Sequence, residues 1–314
     1  MSFIHQINCA ATRRNTGFGG CPVDWKEMAG AFIFDNPHSF SANDLATLQT
    51  TLQALANSDS KSGRMYPIGG FLNNTDNSEQ PVIQTFSTGA KAKVRDGVND
   101  WSFQFTAGGF CLLQAARTHN GNSSVWALFY DKEGKILGYN NNGHLAAIPL
   151  QIFDAEPWKM NTGTTVAVYM VHFVFDVTYS NDYGEYTKAN FDLSTITGFQ
   201  DVKIIVNGFN QSTGLANISI ITECGGANLY ANYSADFTTA AFTASNGDTG
   251  ASIPITSITP IASNQTFNLQ LNHGSANWPS DGNVLLQGAV PSALAALGIV
   301  GYEIEQVYLE VTSS

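Results

Sequence analysis

Apolar residues in this chain alternate with polar ones far more often than they recur at helical spacing. That period confines the fold to one built mainly of short strands. Trp101, Phe103 and Phe105 alternate with Ser102 and Gln104. Val166, Val168, Met170, His172, Val174 and Asp176 share one face of a long predicted strand over 166–177. Ala31–Phe34, Val82–Phe86 and Val125–Tyr130 read as further strands, the last returning through the turn Asp131–Gly134 to Ile136–Tyr139. One stretch carries a clear helical period. Ser41 is a good N-cap with Asp44 in the first turn, and Leu45, Leu48, Leu52 and Leu55 follow on one stripe, which is expected to pack on the chain's own sheet. A shorter helix is expected from Phe110 to Arg117.

The last third keeps a steadier rhythm. Strands are predicted at 202–206, 216–222, 253–258, 267–271, 283–287 and 304–311, separated by Gly, Asn and Pro turns, in the manner of a small antiparallel sandwich. Its size suits an immunoglobulin-like module, although the Cys–Trp–Cys signature is absent. A chain of 314 residues exceeds the usual size of one core. Charge usage also changes near residue 200: below it stand 13 basic and 17 acidic side chains, above it Lys203 alone against eight acids. The expected division is therefore 1–199 and 200–314.

Charged residues make up only 12% of the chain, so its surface is covered by Asn, Ser, Thr, Gln and Gly, which are cheap to desolvate against a neighbour. The net charge of −11 argues against a basic nucleic-acid grip. No run of 18 apolar residues marks a membrane span, and the first residues lack the apolar core of a signal peptide, so the expected site of synthesis is the cytoplasm. Cys9, Cys21, Cys111 and Cys224 form no CxxC pair and are expected to be buried free thiols, a Cys9–Cys21 disulfide being the alternative that a reducing compartment disfavours.

No catalytic constellation emerges. The six histidines are scattered, with no HExxH, and His172 reads as a satisfied sheet histidine. Gly17, Gly19, Gly20 and Pro22 mark a loop rather than a phosphate cradle. Asp131/Glu133 and Asp154/Glu156 could be imagined as glycosidase carboxylates, but each pair falls at neighbouring turn positions. Asp76, Asn77 and Glu79 lack the spacing of an EF-hand. The expectation is a non-enzymatic protein with no catalytic, cofactor-binding or metal-binding residues and no cofactor. The polar run 72–80 is expected to be a long loop. Ordering such a loop in a lone monomer would cost entropy without return, so Asn73, Asn74, Thr75, Asp76, Asn77 and Ser78 are expected to touch an adjacent subunit.

Two stretches carry a resemblance. From Arg64 to Asp176 run GRMYPIGGF, VIQTFSTGAKAKVRDGVNDWSFQF, SSVWALFYDKEGKILGY, PWK and VYMVHFVFD. This succession resembles the core of major tail tube proteins of long-tailed bacteriophages. Residues 284–311, VLLQGAVPSALAALGIVGYEIEQVYLEV, are similar to the end of the immunoglobulin-like accessory domains that some of those proteins carry. The resemblance implies a mostly β chain: an N-terminal β-sandwich or barrel-forming tail-tube-like domain with one or two helices, then an immunoglobulin-like β-sandwich. It further implies homo-oligomeric rings, six copies each, stacked into a tube beside other virion tail proteins, with double-stranded DNA passing through without specific binding. The location implied is the virion tail. Ring closure would then pair the strands 101–105 and 166–177. Alternatives are a capsid decoration protein, the inner tube of a contractile system, or a secreted carbohydrate-binding β-protein.

Overall fold

The structure, a computed structural model, describes residues 26–105, 109–122, 124–162, 167–179, 184–279 and 283–309. The glycine-rich stretch around Gly17, Cys9, Cys21 and Val166 lie outside the described residues. The chain is mostly β and divides into two compact units. One holds the described residues up to Ala56 together with Ser60–Thr197; the other holds Asn57–Asp59 and the described residues from Gly198 onward.

The first unit begins with β1 (Met28–Phe34), β2 (Ser39–Phe40), α1 (Ala42–Ala46), α2 (Leu48–Ala56), β3 (Met65–Gly69) and β4 (Phe71–Asp76). It continues with β5 (Val82–Thr85), β6 (Lys91–Arg95), β7 (Asp100–Phe105), α3 (Gly109–Arg117) and β8 (Val125–Asp131). β9 (Lys135–Asn141), β10 (His144–Ala146), β11 (Ile148–Ala155), β12 (Tyr169–Phe175) and β13 (Gly184–Lys188) complete it.

Strand pairing in this unit runs in a closed circuit. β1 pairs with β8, β8 with β11, β11 with β12, β12 with β7 and β7 with β4, all antiparallel. β4 runs back through Gly70 into β3, and β3 pairs with β1. The result is a small barrel filled by Phe103, Phe129, Phe153, Phe173 and Phe175, with Phe129 and Phe173 ring centroids 5.0 Å apart. Leu113 and Ala116 of α3 join that core.

Period-two alternation explains how two strands serve two cores at once. Ala31 and Ile33 of β1, with Ala127 and Phe129 of β8, face the barrel interior. The intervening Phe32, Phe34, Leu128 and Tyr130 face a second apolar cluster outside it. Leu48, Leu52 and Ala56 of α2 cover that cluster, together with Ile136, Leu145, Leu193 and Ile196.

The expected helix after Ser41 forms with a complete capping box. The Ser41 hydroxyl accepts from the Asp44 N–H, and the Asp44 carboxylate accepts from the Ser41 N–H at 2.8 Å. It breaks at Thr47, so Leu48 and Leu52 are buried while Leu45 and Leu55 are only partly covered. The stripe packs on its own unit, as expected from the sequence.

Two expectations need correction. Of the run 72–80 expected as a loop, residues 72–76 belong to the strand β4, paired with β7 in the register Asn73↔Gln104, Asn74↔Phe103, Thr75↔Ser102 and Asp76↔Trp101, while 77–80 follow outside any strand. Backbone ladder bonds order this polar run without any apolar period. Nor are the strands at 101–105 and within 166–177 open edges: β7 lies between β4 and β12, and β12 lies between β7 and β11. No ring closure is needed to pair them.

The second unit comprises β14 (Gln200–Asn210), β15 (Leu215–Thr222), α4 (Tyr230–Tyr233), β16 (Phe242–Asn246), β17 (Ser252–Ile253) and β18 (Ile255–Ile261). β19 (Thr266–Leu271), β20 (Val284–Gly288), α5 (Pro291–Ala296), β21 (Tyr302–Ile304) and β22 (Val307–Leu309) follow. One sheet has the order β18-β19-β15-β14-β21 and another β17-β16-β20-β22. Both contribute to one apolar core: Ile218, Phe267 and Leu269 come from the first, Phe242, Val284 and Leu286 from the second. The pairing is antiparallel except between β14 and β21, which run parallel. Asp59 belongs here because its carboxylate accepts from the backbone N–H and hydroxyl of Ser292 in the first turn of α5, at 2.9 and 2.6 Å.

Candidate functional site

The expected contact residues Asn73–Ser78 lead into a hairpin that stands apart from the barrel. Leu72–Asp76 are exposed, and among the described residues β4 pairs on one side only, with β7. Side chains pin the run to its neighbour. The Asn73 amide donates to Gln104 Oε1 at 3.0 Å, and the Asn77 amide donates to Ser102 Oγ at 3.1 Å. Asp76 Oδ1 accepts from the Ser78 N–H, and Ser78 Oγ accepts from the Asp100 N–H. The order of Asn73–Ser78 thus comes from within the unit.

Beyond Ser78 the ladder narrows to two strands. The Asn77 N–H donates to Asp100 O and the Glu79 N–H to Val98 O, carrying the pairing outward to β5 and β6. The turn closes where the Phe86 N–H donates to Ala90 O and the Gly89 N–H to Phe86 O. Arg95 pairs with Glu79 at 2.8 Å, and Lys93 pairs with Asp96. Both strands of the hairpin pair only with each other among the described residues, and every residue in them is exposed. Ile83 is 58%, Phe86 47% and Val94 59% accessible. Ile83 and Phe86 stand an odd number of residues apart on this ladder, so they project from opposite faces, and the hairpin exposes apolar side chains on both. At the hairpin base a polar cleft of about 470 Å³ is bounded by Glu79, Arg95, Asn99, Asp176 and Tyr179. Burial pushes the Tyr179 phenol up to about 12.

A second exposed apolar surface was not legible in the sequence. Phe110, at the start of α3, meets Trp158 edge-on with ring centroids 5.6 Å apart and Tyr169 at 6.3 Å. Phe110 is 56% and Met160 71% accessible.

The carboxylates considered for chemistry have structural work. Asp131 is buried, and its Oδ1 accepts from the N–H groups of Glu133 and Lys135, closing the β8–β9 turn. Asp154 accepts from the Asn120 amide at 2.7 Å. Asn120 also bonds the N–H and carbonyl of Ala155, extending the ladder beyond the edge of β11. Glu156 lies 2.8 Å from His172 Nε2 and 3.0 Å from Lys159 Nζ. The Lys159 hydrogen bond, opposed by burial and aided by His172, holds its carboxyl below the ordinary range. Asp76 and Glu79 are engaged with Ser78 and Arg95, and no group of three or more metal-ligating side chains occurs among the described residues.

The cysteines overturn an expectation. Cys111, in α3, and Cys224, after β15, are disulfide-bonded rather than free thiols, and no free cysteine occurs among the described residues. Oxidation state is set by redox surroundings, which spacing in the sequence does not encode. Among the described residues no helix is long and apolar enough to cross a membrane. No protein-family model, curated protein or solved structure matches the chain.

Proposed function

We propose that this protein is a structural virion component that polymerises as stacked homo-oligomeric rings, six copies each, into a phage tail tube, a conduit for DNA ejection. The hairpin Val82–Arg95 carries the reading: Ile83, Phe86 and Val94 stand exposed on a ladder that pairs with no other strand among the described residues. Among the described residues the outer side of β4 has no strand partner, which supports it as well, because Asn73–Asp76 could then offer a backbone edge to a neighbouring subunit. The contact residues expected from the sequence thus keep their proposed role as an edge strand and the root of the hairpin instead of as a loop. A second unit with an immunoglobulin-like role would decorate the tube. Disulfides suit a particle that persists outside the cell. A conducting lumen would be lined by more acids than bases, since a basic wall would hold the DNA phosphates.

The oxidised cysteines favour one further reading, a secreted carbohydrate-binding β-protein. On the β14–β15–β19 sheet, Asn207 donates to Ser219 and Asn217 to Asn268, a network of uncharged amides and hydroxyls.

Electron microscopy of the purified full chain separates these readings. Tubes with a regular axial repeat are expected, and replacement of Pro81–Asp96 by a short Gly-Ser turn should leave rings that do not stack. A stable monomer at every salt and protein concentration would overturn the tube reading.

A further inference from the structure

Between the root of the hairpin and the chain that leaves β12 lies the cleft of about 470 Å³, a volume in the range of small-molecule sites. Its walls are fixed by backbone bonds. The Glu79 N–H donates to Val98 O on the hairpin side, the Phe175 N–H donates to Asn99 O at 2.9 Å, and the Tyr179 N–H donates to Asp176 O at 2.9 Å. Every residue bounding the cleft belongs to the first unit, so one chain suffices to build it.

Polar groups converge there with most of their charge spent on one another. Glu79 pairs with Arg95 at 2.8 Å, and Lys93 pairs with Asp96. Asp176 is held instead by Thr178, whose N–H and hydroxyl donate to Oδ1 at 2.7 and 2.6 Å. Oδ2 of the same carboxylate has no hydrogen-bond partner among the described residues, nor has the Tyr179 hydroxyl. The Tyr179 ring meets Phe175 edge-on, with centroids 5.2 Å apart. Its raised pKa keeps the hydroxyl protonated, able both to donate and to accept.

We infer that this cleft binds a neutral saccharide. Charge selects the class. An anion would meet the Asp176 carboxylate, while both basic side chains already hold an acid. A cation would meet the Lys93 and Arg95 heads. A sugar hydroxyl supplies what the cleft lacks: it donates to Asp176 Oδ2 and accepts from the Tyr179 hydroxyl. A neighbouring hydroxyl accepts from an Arg95 N–H that Glu79 leaves unused, since the printed bond engages only Nη1. The C–H face of the sugar lies against the Tyr179 ring and Val177, which is 69% accessible at the rim. The site serves a tube subunit and a free monomer alike, because no second copy completes it.

Saturation-transfer difference NMR on the full chain tests this with glucose, galactose, mannose and N-acetylglucosamine, and with glucuronate and glucosamine as the charged counterparts of glucose. At least one neutral sugar is expected to bind, and neither charged counterpart more tightly than glucose. Tyr179→Phe keeps the ring on Phe175 and removes only the hydroxyl. It should weaken binding about tenfold, the worth of one hydrogen bond. Asp176→Asn keeps an oxygen for Thr178 while turning the open acceptor into a donor, and should weaken binding at least as much. Melting temperatures confirm that the variants fold; where Asp176→Asn does not, Tyr179→Phe carries the test alone. Binding of no neutral sugar overturns the inference. So does wild-type affinity in Tyr179→Phe, or a charged counterpart held more tightly than glucose. Electron microscopy decides assembly separately, so tubes without sugar binding would remove this site and leave the tube reading standing.

Discussion

β1 and the β5–β6 hairpin use the same secondary structure for opposite ends. β1 has no free face: Ala31 and Ile33 fill the barrel, and Phe32 and Phe34 fill the cluster under α2. The hairpin has no buried face, although Ile83, Phe86 and Val94 are as apolar as the residues of β1. Apolar strand residues therefore do two jobs in one unit. Where ladders continue on both sides they hold the fold; where the ladder stops at two strands they stay exposed, and only the proposed assembly would give them a partner.

Core truncation gives the widest separation between the two. Phe129 is fully buried and contacts Trp101, Phe103, Phe173 and Phe175. Phe129→Ala should cost about 3–5 kcal/mol of unfolding free energy. Ile83→Ala should stay within about 0.5 kcal/mol. Urea midpoints of the dissociated chain measure both, and a similar loss from each would mean that the hairpin packs on the body after all.

Two glycines repeat the contrast at the backbone. A Cβ at Gly30 would lie 2.3 Å from Tyr130 Oη and 2.5 Å from Ile68 O, and one at Gly97 would lie 1.8 Å from Glu79 O. Gly30→Ala forces the barrel wall apart and should cost about 1–3 kcal/mol. Gly97→Ala disturbs only the root of the hairpin. It is expected to leave the melting temperature close to wild type while speeding limited proteolysis between residues 79 and 97. A large drop in melting temperature for Gly97→Ala would tie the hairpin to the stability of the barrel.

The smallest effect is a pH dependence confined to the body. His38 stacks on Phe34, and burial pushes its imidazole below its ordinary value, with Asp44 opposing. The unfolded chain therefore takes up the proton first as pH falls. Stability present above about 6.5 is lost as pH drops from there toward the lower folded value. His38→Gln should lose less melting temperature than wild type between pH 7 and pH 5. Equal losses would place the acid sensitivity in other groups.

Much of the strand content was readable because half-buried strands write their burial into a period. Trp101–Phe105 shows this, as do the six runs expected in the second unit, all of which contain strands. The helix after Ser41 was readable from its cap, whose partners are three residues apart. β4 was missed because a strand at an open edge needs only backbone partners: Asn73, Asn74 and Thr75 pair without hiding a side chain. β6 was missed for a related reason, since alternation of Lys91, Lys93 and Arg95 with Ala92 and Val94 provides no buried face to recognise. β16, a Thr- and Ser-containing run, was likewise too weakly patterned. Of the candidate site, Asn73–Asp76 form a strand where a loop was expected, Asn77 and Ser78 lie outside it, and the Phe110–Trp158 pair joins residues 48 positions apart that no local pattern connects.

By itself the sequence determined what nearest neighbours along the chain control: mostly extended structure, one capped helix, and an uncharged polar covering in a chain of net charge −11. Tertiary structure alone decided which strands became interior. The pairing of β1 with β3 and of β7 with β4 closes the barrel, and it commits β7 and β12 to the wall while leaving β5 and β6 outside. Those pairings join residues tens of positions apart. Their stability comes from a shared core such as Phe103, Phe129 and Phe173, which exists only once the circuit has closed. An isolated strand carries the same alternation whether it ends up in the wall or in the hairpin, so the choice belongs to the whole fold.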